Sequence, residues 1–535
     1  MKRFPALFLA LALLLSAAAL PSLAEDAPVT ITVSGPDSTN SRWTETLAVQ
    51  YLEKMSNTRW DVKLYPADIW PTKLTLLITS NELPDVCFKA NADKSAMNLY
   101  GKEGYLLDLT QYLDSMPNFK AALERYPDYR TYHTTEDGAI YSLANLSVFE
   151  AQRTQALVYI NRDWLENVNM EVPQTVEELY TVLKAFKEQD ANGNGDPNDE
   201  IPLSFDTYAG QRVMNLLQAG FGVYSTATDL MLGVDEAGKV FLYETTENFK
   251  NYLKFMRTLY AEKLMDDTCF IQTYSERREK AISNRVGMFS DWSGLLAGTC
   301  GKNAPEAYDN WAMMYGLGSE DTPVAYPGGP LVNPGAQIFV NADTKYPQEI
   351  CKVIDTLFTD EYILMYNCGV EGDTFDYVTT GTGFRIPAVK KSAWEDKYDS
   401  EGVFRDQYLN VTQLMTKMHG MYYTVAAQAS QEELETMKKD EILTNYAYRE
   451  ELVRTGHMVD TYPVFAYNKK EAEVQTRCKT DLITYLQTMR VAFITGEANI
   501  DADWDSYQAS IQAMGLNDLL AVEQSAYDRY AVNLK

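Results

Sequence analysis

The sequence has 535 residues, with 47 basic and 75 acidic side chains and a formal net charge of −28 at pH 7. A chain this acidic repels nucleic acid and anionic membrane surfaces, so we expect neither as a partner. At about 100–200 residues per domain, the length predicts two or three domains rather than one.

The first 24 residues have the pattern of a secretory signal peptide. Lys2 and Arg3 precede an apolar run, and small residues stand at Ser22 and Ala24, just before the acidic "EDAP". This pattern predicts cleavage after Ala24 and export of the remaining chain. The apolar run is short for a membrane span and no second run of about 20 apolar residues follows. We therefore expect a soluble extracellular protein, with a retained anchor as the alternative.

Strand-like and helix-like patterns alternate along the first 150 residues. The order is strand 29–35, helix 41–56, strand 60–67, then a helix and a strand within 71–88. Two short helices over 103–129 and a turn into a strand over 137–144 complete this block. Strand–helix–strand repetition predicts βαβ units and a mainly parallel sheet.

A second block begins with a strand that runs into a helix over 155–170. Pro173 and Thr175 lead an amphipathic helix that ends near Asp190. Further elements are a strand and turn at 285–295, a strand at 331–340, one long helix at 347–369 and a largely helical last third. Since no repeat and no low-complexity linker separates the blocks, we expect two lobes joined by several chain crossings.

The cysteines and histidines are scattered. Six cysteines occur, at positions 87, 269, 300, 351, 368 and 478, without a CxxC pair. In an exported protein they could form disulfides, in any of 15 connectivities. The strand-like context of Cys87 and the helix-like contexts of Cys351 and Cys368 instead favour free, buried thiols. The three histidines lack zinc-site spacing, so we do not expect a zinc enzyme.

Several segments, taken in order, resemble a known family. The first lobe of that family is suggested by "LITSNELPDV", "EGYLLDLTQYLDS" and "TTEDGAIYSLA", and the crossover by "VYINRDWLENVNMEVPQTVEELYTVLKAFKEQDANGNG". Later likenesses are "CGVEGDTFDYV" and "AFITGEANIDADWDSYQASIQAMGLNDLLAVEQSAYDRY". The chain resembles the extracellular solute-binding proteins of ABC importers, of the large oligosaccharide-binding type that includes the alginate-binding proteins.

The resemblance implies a periplasmic-binding-protein-like α/β fold: two lobes with mainly parallel sheets around a ligand cleft, and a helical C-terminal region. It implies a first lobe of about residues 25–150 plus 292–345 and a second of about 151–291 plus 346–535. It also implies a monomer that captures a carbohydrate for a membrane permease and catalyses nothing itself. Gram-positive members are usually lipoproteins with a cysteine at the cleavage site, whereas this chain has none before Cys87.

The stretch "DANGNGDPNDE", from Asp190 to Glu200, has the ligand pattern of a Ca²⁺ loop. The expected oxygen ligands are the side chains of Asp190, Asn192 and Asn194, the carbonyl of Asp196, and the carboxylates of Asp199 and Glu200. Ile201 stands at the position where an EF-hand requires a glutamate, and Pro202 disfavours a following helix. We therefore predict a structural Ca²⁺ ion rather than a sensor, closed by Asn198, Asp199 or Glu200. A surface turn without an ion is the alternative.

Ligand-binding residues are expected on loops at the carboxyl ends of strands. Sugars bind through hydroxyl hydrogen bonds and through stacking on aromatic rings, which a chain with 36 Tyr and 8 Trp can supply. The expected set is Trp43, Asp85, Tyr141, Ser142, Asn145, Asp291, Trp292 and Tyr326. For each of them a local turn, a cap or core packing is the alternative, and Trp164 is predicted to lie in the core.

Three other functions compete with carbohydrate binding. A secreted glycoside hydrolase also needs aromatic platforms and two carboxylates about 5–10 Å apart, and with 75 acidic residues such pairs are bound to occur. A Ca²⁺-dependent adhesion module is the second, although such modules are usually β-rich repeats. The third is a binding protein for a peptide or another solute that is not a sugar.

Overall fold

The computed structural model describes residues 27–37, 42–154, 157–196, 198–206, 211–227, 229–291, 310–398, 401–411, 417–418, 421–440 and 442–534. The expected signal peptide, Trp292 and Cys300 lie outside the described residues. Among the described residues, no helix combines the length and the apolar character needed to cross a membrane.

The strands are short and the helices numerous. The strands are β1 (Val29–Asp37), β2 (Thr58–Pro66), β3 (Val86–Cys87), β4 (Leu143–Ser147), β5 (Leu157–Asn161), β6 (Ile201–Leu203), β7 (Leu232–Val234), β8 (Val240–Leu242), β9 (Val286–Asp291), β10 (Trp311–Met314), β11 (Leu317–Ser319), β12 (Thr322–Gly328), β13 (Val332–Val340), β14 (Phe375–Thr379), β15 (Arg385–Val389), β16 (Lys417–Met418) and β17 (Met458–Asp460).

The α-helices are α1 (Leu47–Ser56), α2 (Trp70–Thr79), α3 (Lys94–Lys102), α4 (Pro117–Arg125), α5 (Pro127–His133), α6 (Arg162–Asn167), α7 (Val176–Glu188), α8 (Gln211–Ala219), α9 (Glu247–Ala261), α10 (Tyr274–Ile282), α11 (Pro347–Thr356), α12 (Asp360–Cys368), α13 (Lys391–Trp394), α14 (Glu401–Phe404), α15 (Met421–Gln428), α16 (Gln431–Met437), α17 (Thr444–Arg454), α18 (Lys469–Thr495), α19 (Ile500–Ala513) and α20 (Leu516–Leu534). Short 3₁₀ helices lie at Trp43–Glu45, Leu109–Ser115, Glu150–Arg153 and Tyr243–Thr245, and a π-helical turn at Arg405–Leu409.

The first lobe is built on a sheet with the strand order β16-β4-β13-β3-β1-β2. β1 is parallel to β2 and to β3, as the βαβ pattern predicts, but β13 returns antiparallel to both β3 and β4. The second lobe has the order β10-β5-β9-β6, in which only β6 and β9 pair in parallel among the described strands. The α/β class is therefore confirmed, with mixed rather than mainly parallel sheets.

The hydrophobic cores redraw the expected lobe boundaries. Ile350, Ile354 and Tyr362 of α11 and α12 pack in the first-lobe core, together with Val33 and Leu52. These helices therefore belong to the first lobe and not to the second. Conversely, β10 falls within the residues expected for the first lobe but pairs with β5 of the second lobe. The sequence pattern could not show this, because the apolar face of a helix does not specify the sheet that it covers.

The C-terminal helices pack in the core of the second lobe. Leu482, Leu486 and Phe493 of α18 and Leu519 of α20 lie in the same core as Trp164, whose predicted core position is confirmed. The expected single helix over 347–369 is two helices, because Thr359 caps α12 by accepting a hydrogen bond from the Tyr362 N–H at 3.2 Å.

The described cysteines are free thiols. Cys87, Cys269, Cys351, Cys368 and Cys478 are all buried and unpaired with one another, which confirms the free-thiol alternative for these five. Burial raises the pKa of the Cys351 thiol to about 12 and that of Cys368 to about 11, so both stay protonated and unreactive at neutral pH.

Candidate ligand cleft and calcium loop

Separate chain segments run side by side where the lobes meet. β12 leads towards the first-lobe strand β13 and pairs in parallel with β17. Arg153 ties these segments together: its Nε donates to the Gly329 carbonyl at 2.6 Å, and its Nη2 lies 2.7 Å from the Asp460 carboxylate. Because one guanidinium bonds to two other segments of the junction, the junction between the lobes is a defined structure rather than a loose linker.

A cavity of about 490 Å³ lies against this junction and takes walls from both lobes. The first lobe contributes Lys94, Tyr132 and Asn333, and the second contributes Arg212 and Asn215 at the start of α8. The volume is within the usual range of small-molecule sites. We call it the inner cavity.

A second cavity of about 940 Å³ adjoins the first. Its walls come from α3 and α5 of the first lobe and from the ends of α18 and α20. We call it the outer cavity. The two cavities share the wall residues Asp93, Ser95, Tyr132, Val464, Phe465 and Tyr467. The segment around Val464 therefore stands between them.

Lys94 is the most deeply buried cation beside the inner cavity. Its side chain is only 3% exposed, and its ammonium donates to the carbonyl and the hydroxyl oxygen of Ser142 at 3.1 and 3.0 Å. Burial lowers the pKa of Lys94 to about 7, because an ammonium is poorly solvated there. Next to it, burial and the charge of Lys94 lower the pKa of His133, so that imidazole is neutral.

Two of the expected ligand residues lie at or next to the inner cavity. Tyr326 lies at its wall, although it is only 5% exposed and packs in the second-lobe core. Asn145 is paired across the β4–β13 ladder with Asn333, which also lines it. The Asn145 Oδ1 atom is buried without a hydrogen-bond partner. The structure thus brings these two predicted positions to the junction of the lobes.

The structure places Trp43, Asp85 and Ser142 differently from the expectation. Trp43 is 2% exposed and packs in the first-lobe core, so its ring faces protein and not a cleft. Asp85 accepts hydrogen bonds from the hydroxyls of Thr32 and Thr344, at 2.7 Å each. Ser142 is fully buried and holds Lys94. The polar groups of Asp85 and Ser142 therefore form hydrogen bonds within the folded protein.

Asp291 and Tyr141 also have structural contacts. Asp291 is buried, accepts a hydrogen bond from the Tyr274 hydroxyl at 2.8 Å and lies 3.4 Å from the Arg277 guanidinium. Tyr141 lies against Gly101, where a Cβ atom would meet the tyrosine ring at 2.1 Å. Sequence spacing could not reveal these partners, because they are remote in the chain or on another element.

Sequence reasoning missed the most aromatic part of the junction. The segment Thr461–Tyr467, "TYPVFAY", lines both cavities and has no helical or strand structure. Three aromatic rings and a proline within seven residues, without a period of 2 or 3.6, are a signal that could have marked it as a binding surface.

The expected calcium loop follows α7 directly. Asp190 accepts hydrogen bonds from the Asn194 N–H at 3.1 Å and the Gly195 N–H at 2.8 Å. The Asp199 carboxylate accepts from the side-chain amides of Asn192 and Asn194 at 2.9 and 3.0 Å. Gly195 has a φ of +91°, a conformation that favours glycine at the sharp turn.

Glu200 is the unusual member of this loop. Its side chain is 3% exposed, and neither carboxylate oxygen has a hydrogen-bond partner. Burial raises the pKa of Glu200. The backbone N–H groups of Glu200 itself and of Asn192, which approach the carboxylate without good hydrogen-bond geometry, lower it, and the charges of Asp199 and Asp190 raise it further. Among the described residues, no three acidic, histidine or cysteine side chains gather closely enough to hold a metal ion. The buried carboxylate of Glu200 is the feature that a cation would suit, because a buried charge without a well-formed hydrogen bond is costly and an oxygen-bound ion would offset it.

Comparison with known proteins gives a consistent relationship. No protein-family model matches the chain. The fructooligosaccharide ABC transporter substrate-binding protein FusA of Streptococcus pneumoniae is 26% identical over 91% of this chain and 88% of its own length. A second relative, the polygalacturonan/rhamnogalacturonan-binding protein YtcQ of Bacillus subtilis, is 23% identical over 45% of this chain and 46% of its own.

Solved structures share the fold. An extracellular solute-binding protein from Bifidobacterium longum subsp. infantis superposes with a TM-score of 0.74 at 20% identity, covering 95% of this chain and 99% of that one. An EF-hand mutant of FusA in complex with fructo-nystose gives a TM-score of 0.72 at 24% identity, covering 94% and 100%. Over most of its length, the chain is therefore similar in sequence to a substrate-binding protein of an ABC transporter and similar in fold to solute-binding proteins.

Proposed function

We propose that this protein captures an oligosaccharide between its lobes and delivers it to a membrane permease. The observation that carries the proposal is the inner cavity, in which aromatic rings from the lobe junction stand among hydroxyl, amide and charged groups of both lobes. Sugars need this combination, since their C–H faces stack on rings while their hydroxyls form hydrogen bonds. Covering about 100 Å² of such a face contributes about 2.5 kcal/mol at 25 cal/mol/Å².

The relatives support a carbohydrate over other solutes. FusA is named for fructooligosaccharides and YtcQ for polygalacturonan and rhamnogalacturonan, and both are named as binding proteins rather than enzymes. We propose four properties together for this chain: a carbohydrate ligand, a membrane permease as partner, export from the cell and a monomeric state. Tyr326 and Asn145 are the sequence-predicted residues that we retain for the site.

A glycan panel tests the proposal. Purified protein is mixed with neutral and acidic oligosaccharides, kestose and trigalacturonate among them, and its melting temperature is measured together with released reducing ends. We expect at least one glycan to raise the melting temperature without turnover, because a ligand stabilises the state that it binds. Released reducing ends would instead indicate the hydrolase. A response to peptides alone would indicate a different solute class.

We propose in addition that the loop Asp190–Glu200 binds a structural Ca²⁺ ion. The support is the buried carboxylate of Glu200, whose oxygens lack a hydrogen bond of good geometry, beside an alternating set of oxygen-bearing side chains. The structural relative described as an EF-hand mutant agrees with a metal loop in that protein. When bound, the ion would neutralise the crowded carboxylates and fix the end of α7. We expect EDTA at fixed pH to lower the melting temperature, and Ca²⁺ but not Mg²⁺ to restore it. No change with EDTA would remove the calcium assignment.

A further inference from the structure

The segment Thr461–Tyr467 presents three rings to the space between the lobes, and we call it the aromatic wall. The Phe465 ring meets Tyr462 edge-on at 5.3 Å between centroids and lies 6.5 Å from Tyr467 at nearly a right angle. Tyr462, Phe465 and Tyr467 all line the inner cavity, and the last two also line the outer one. The segment is not a strand, so no ladder of backbone hydrogen bonds fixes the positions of these rings. Other contacts must therefore hold them.

A single carboxylate holds both tyrosines of the aromatic wall. Glu523 of α20 is 1% exposed and accepts hydrogen bonds from the hydroxyls of Tyr462 and Tyr467 at 3.0 Å each. The side-chain amide of Gln475 on α18 donates to the same carboxylate at 2.5 Å. Burial and the nearby carboxylate raise the pKa of both tyrosines, which therefore remain donors. Three side-chain donors on one carboxylate therefore fix its position relative to both rings.

These contacts attach the aromatic wall to the second lobe. α20 packs in the second-lobe core through Leu519, and Glu523 lies one helical turn further along. Across the wall stand Tyr132 and Ser95 of the first lobe, and the Ser95 hydroxyl accepts a hydrogen bond from the Tyr467 N–H at 3.0 Å. The two tyrosine rings are thus anchored to the second lobe through Glu523, while Val464 and the Tyr467 N–H also contact the first lobe.

We propose that Glu523 is a positioning residue that holds the aromatic wall as the stacking surface for the solute. This inference rests on the proposed carbohydrate function. A solute seated on the wall would be pressed against the first lobe when the lobes close, so rings held in register would favour the closed, liganded state. Loss of the Glu523 anchor would let the two tyrosine rings turn and would weaken binding without removing any ring.

Glu471 offers a matched control on the same pair of helices. It is also buried, and it accepts hydrogen bonds from the Arg529 guanidinium at 2.5 and 2.7 Å and from the Ser525 hydroxyl at 3.1 Å. It therefore joins α18 to α20 as Glu523 does, but it holds no ring of the aromatic wall. A general loss of stability and a specific loss of positioning can thus be separated.

The test compares wild type, Glu523→Gln, Glu471→Gln and the double variant Tyr462→Phe/Tyr467→Phe. Kestose affinity is measured by calorimetry, and native-state chymotrypsin cleavage after Tyr462, Phe465 and Tyr467 is mapped by mass spectrometry. We expect Glu523→Gln and the double tyrosine variant to raise the Kd at least tenfold. Glu523→Gln should also accelerate cleavage in the wall at least fivefold. Glu471→Gln should lower the melting temperature but leave the Kd within twofold and wall cleavage unchanged.

The outcomes separate this inference from the proposed function. If no glycan of the panel binds wild type, the proposed function fails, and faster wall cleavage in Glu523→Gln alone still decides whether Glu523 positions the wall. If kestose binds wild type and Glu523→Gln matches it in both affinity and cleavage, the inference is overturned while the function stands. Equal losses of affinity in Glu523→Gln and Glu471→Gln would also overturn it, because they would indicate general destabilisation.

Discussion

The calcium loop and the inner cavity are both polar sites, but they are assembled in opposite ways. The loop draws every expected ligand from eleven consecutive residues, Asp190 to Glu200. The cavity takes its walls from segments as distant in the chain as Lys94, Asn215, Tyr326 and Glu523. A local site depends on a short stretch of backbone, whereas a distributed site depends on the packing of two lobes. Substitutions should therefore act locally in the first and through lobe geometry in the second.

The first expected effect is the complete loss of one response, and it separates the two sites. Asp190→Ala should abolish the response to Ca²⁺, worth about 2.7 kcal/mol when the ion is at 100 times its Kd, or about 5 °C in melting temperature. Glycan affinity should stay within twofold, because the loop is not part of the cavity. Asp196→Ala is the matched control: its expected ligand is the backbone carbonyl, so its calcium response should persist. Equal losses in both variants would contradict the assigned ligands.

A pH series probes the distributed site through Lys94. Its folded pKa of about 7 lies below the unfolded value, so the unfolded chain binds more protons between pH 7 and about 10. The free energy of unfolding of wild type therefore increases as the pH rises through that window, and this increase is lost as the pH falls towards 7. Relative to Lys94→Met, wild type should recover on the order of 3 kcal/mol between pH 7 and 10. Parallel curves of unfolding free energy against pH for the two proteins would show that the ammonium is solvated.

The inner cavity should respond to the loss of a single amide. Asn215 is buried at the wall on α8, and Asn215→Ala should weaken binding of the best glycan about tenfold, the value of one or two hydrogen bonds. The calcium-dependent rise in melting temperature should be the same as in wild type. If calorimetry shows unchanged affinity, the glycan does not bind against α8.

The smallest expected effect concerns a contact between the lobes. The Tyr530 hydroxyl on α20 donates to the Asp128 carboxylate on α5 of the first lobe. Tyr530→Phe should cost about 1 kcal/mol or less and change glycan affinity less than threefold. Differential scanning calorimetry and titration calorimetry measure both quantities. A tenfold change in affinity would mean that the C-terminal helix governs lobe closure.

The same contrast explains what the sequence could predict. The strands near Val29, Thr58 and Leu157 and the helix after Thr175 follow from local patterns, and the structure has those elements near their expected positions. The calcium assignment of the loop after that helix remains a prediction. The return of β13 antiparallel into the first sheet does not follow, because strand order depends on long-range packing.

Individual cleft residues were harder to predict for the same reason. Trp43 has the local context of a loop aromatic, yet it is buried, since α1 and its neighbours enclose it. Asp85 follows a proline as a free turn carboxylate would, yet Thr32 and Thr344 satisfy it from remote segments. The local sequence does not show which remote residues will contact a side chain, so these positions could not be predicted from their neighbours. The aromatic wall was missed for the same reason, because the residues around it come from both lobes.

The most direct test of the central claim is a crystal structure of the protein with the glycan that raises its melting temperature most. We predict an intact oligosaccharide in the inner cavity, with at least one sugar ring stacked on Tyr462, Phe465 or Tyr467 and hydrogen bonds to both lobes. A glycan bound outside the space between the lobes, or one cleaved at a glycosidic bond, would contradict the account.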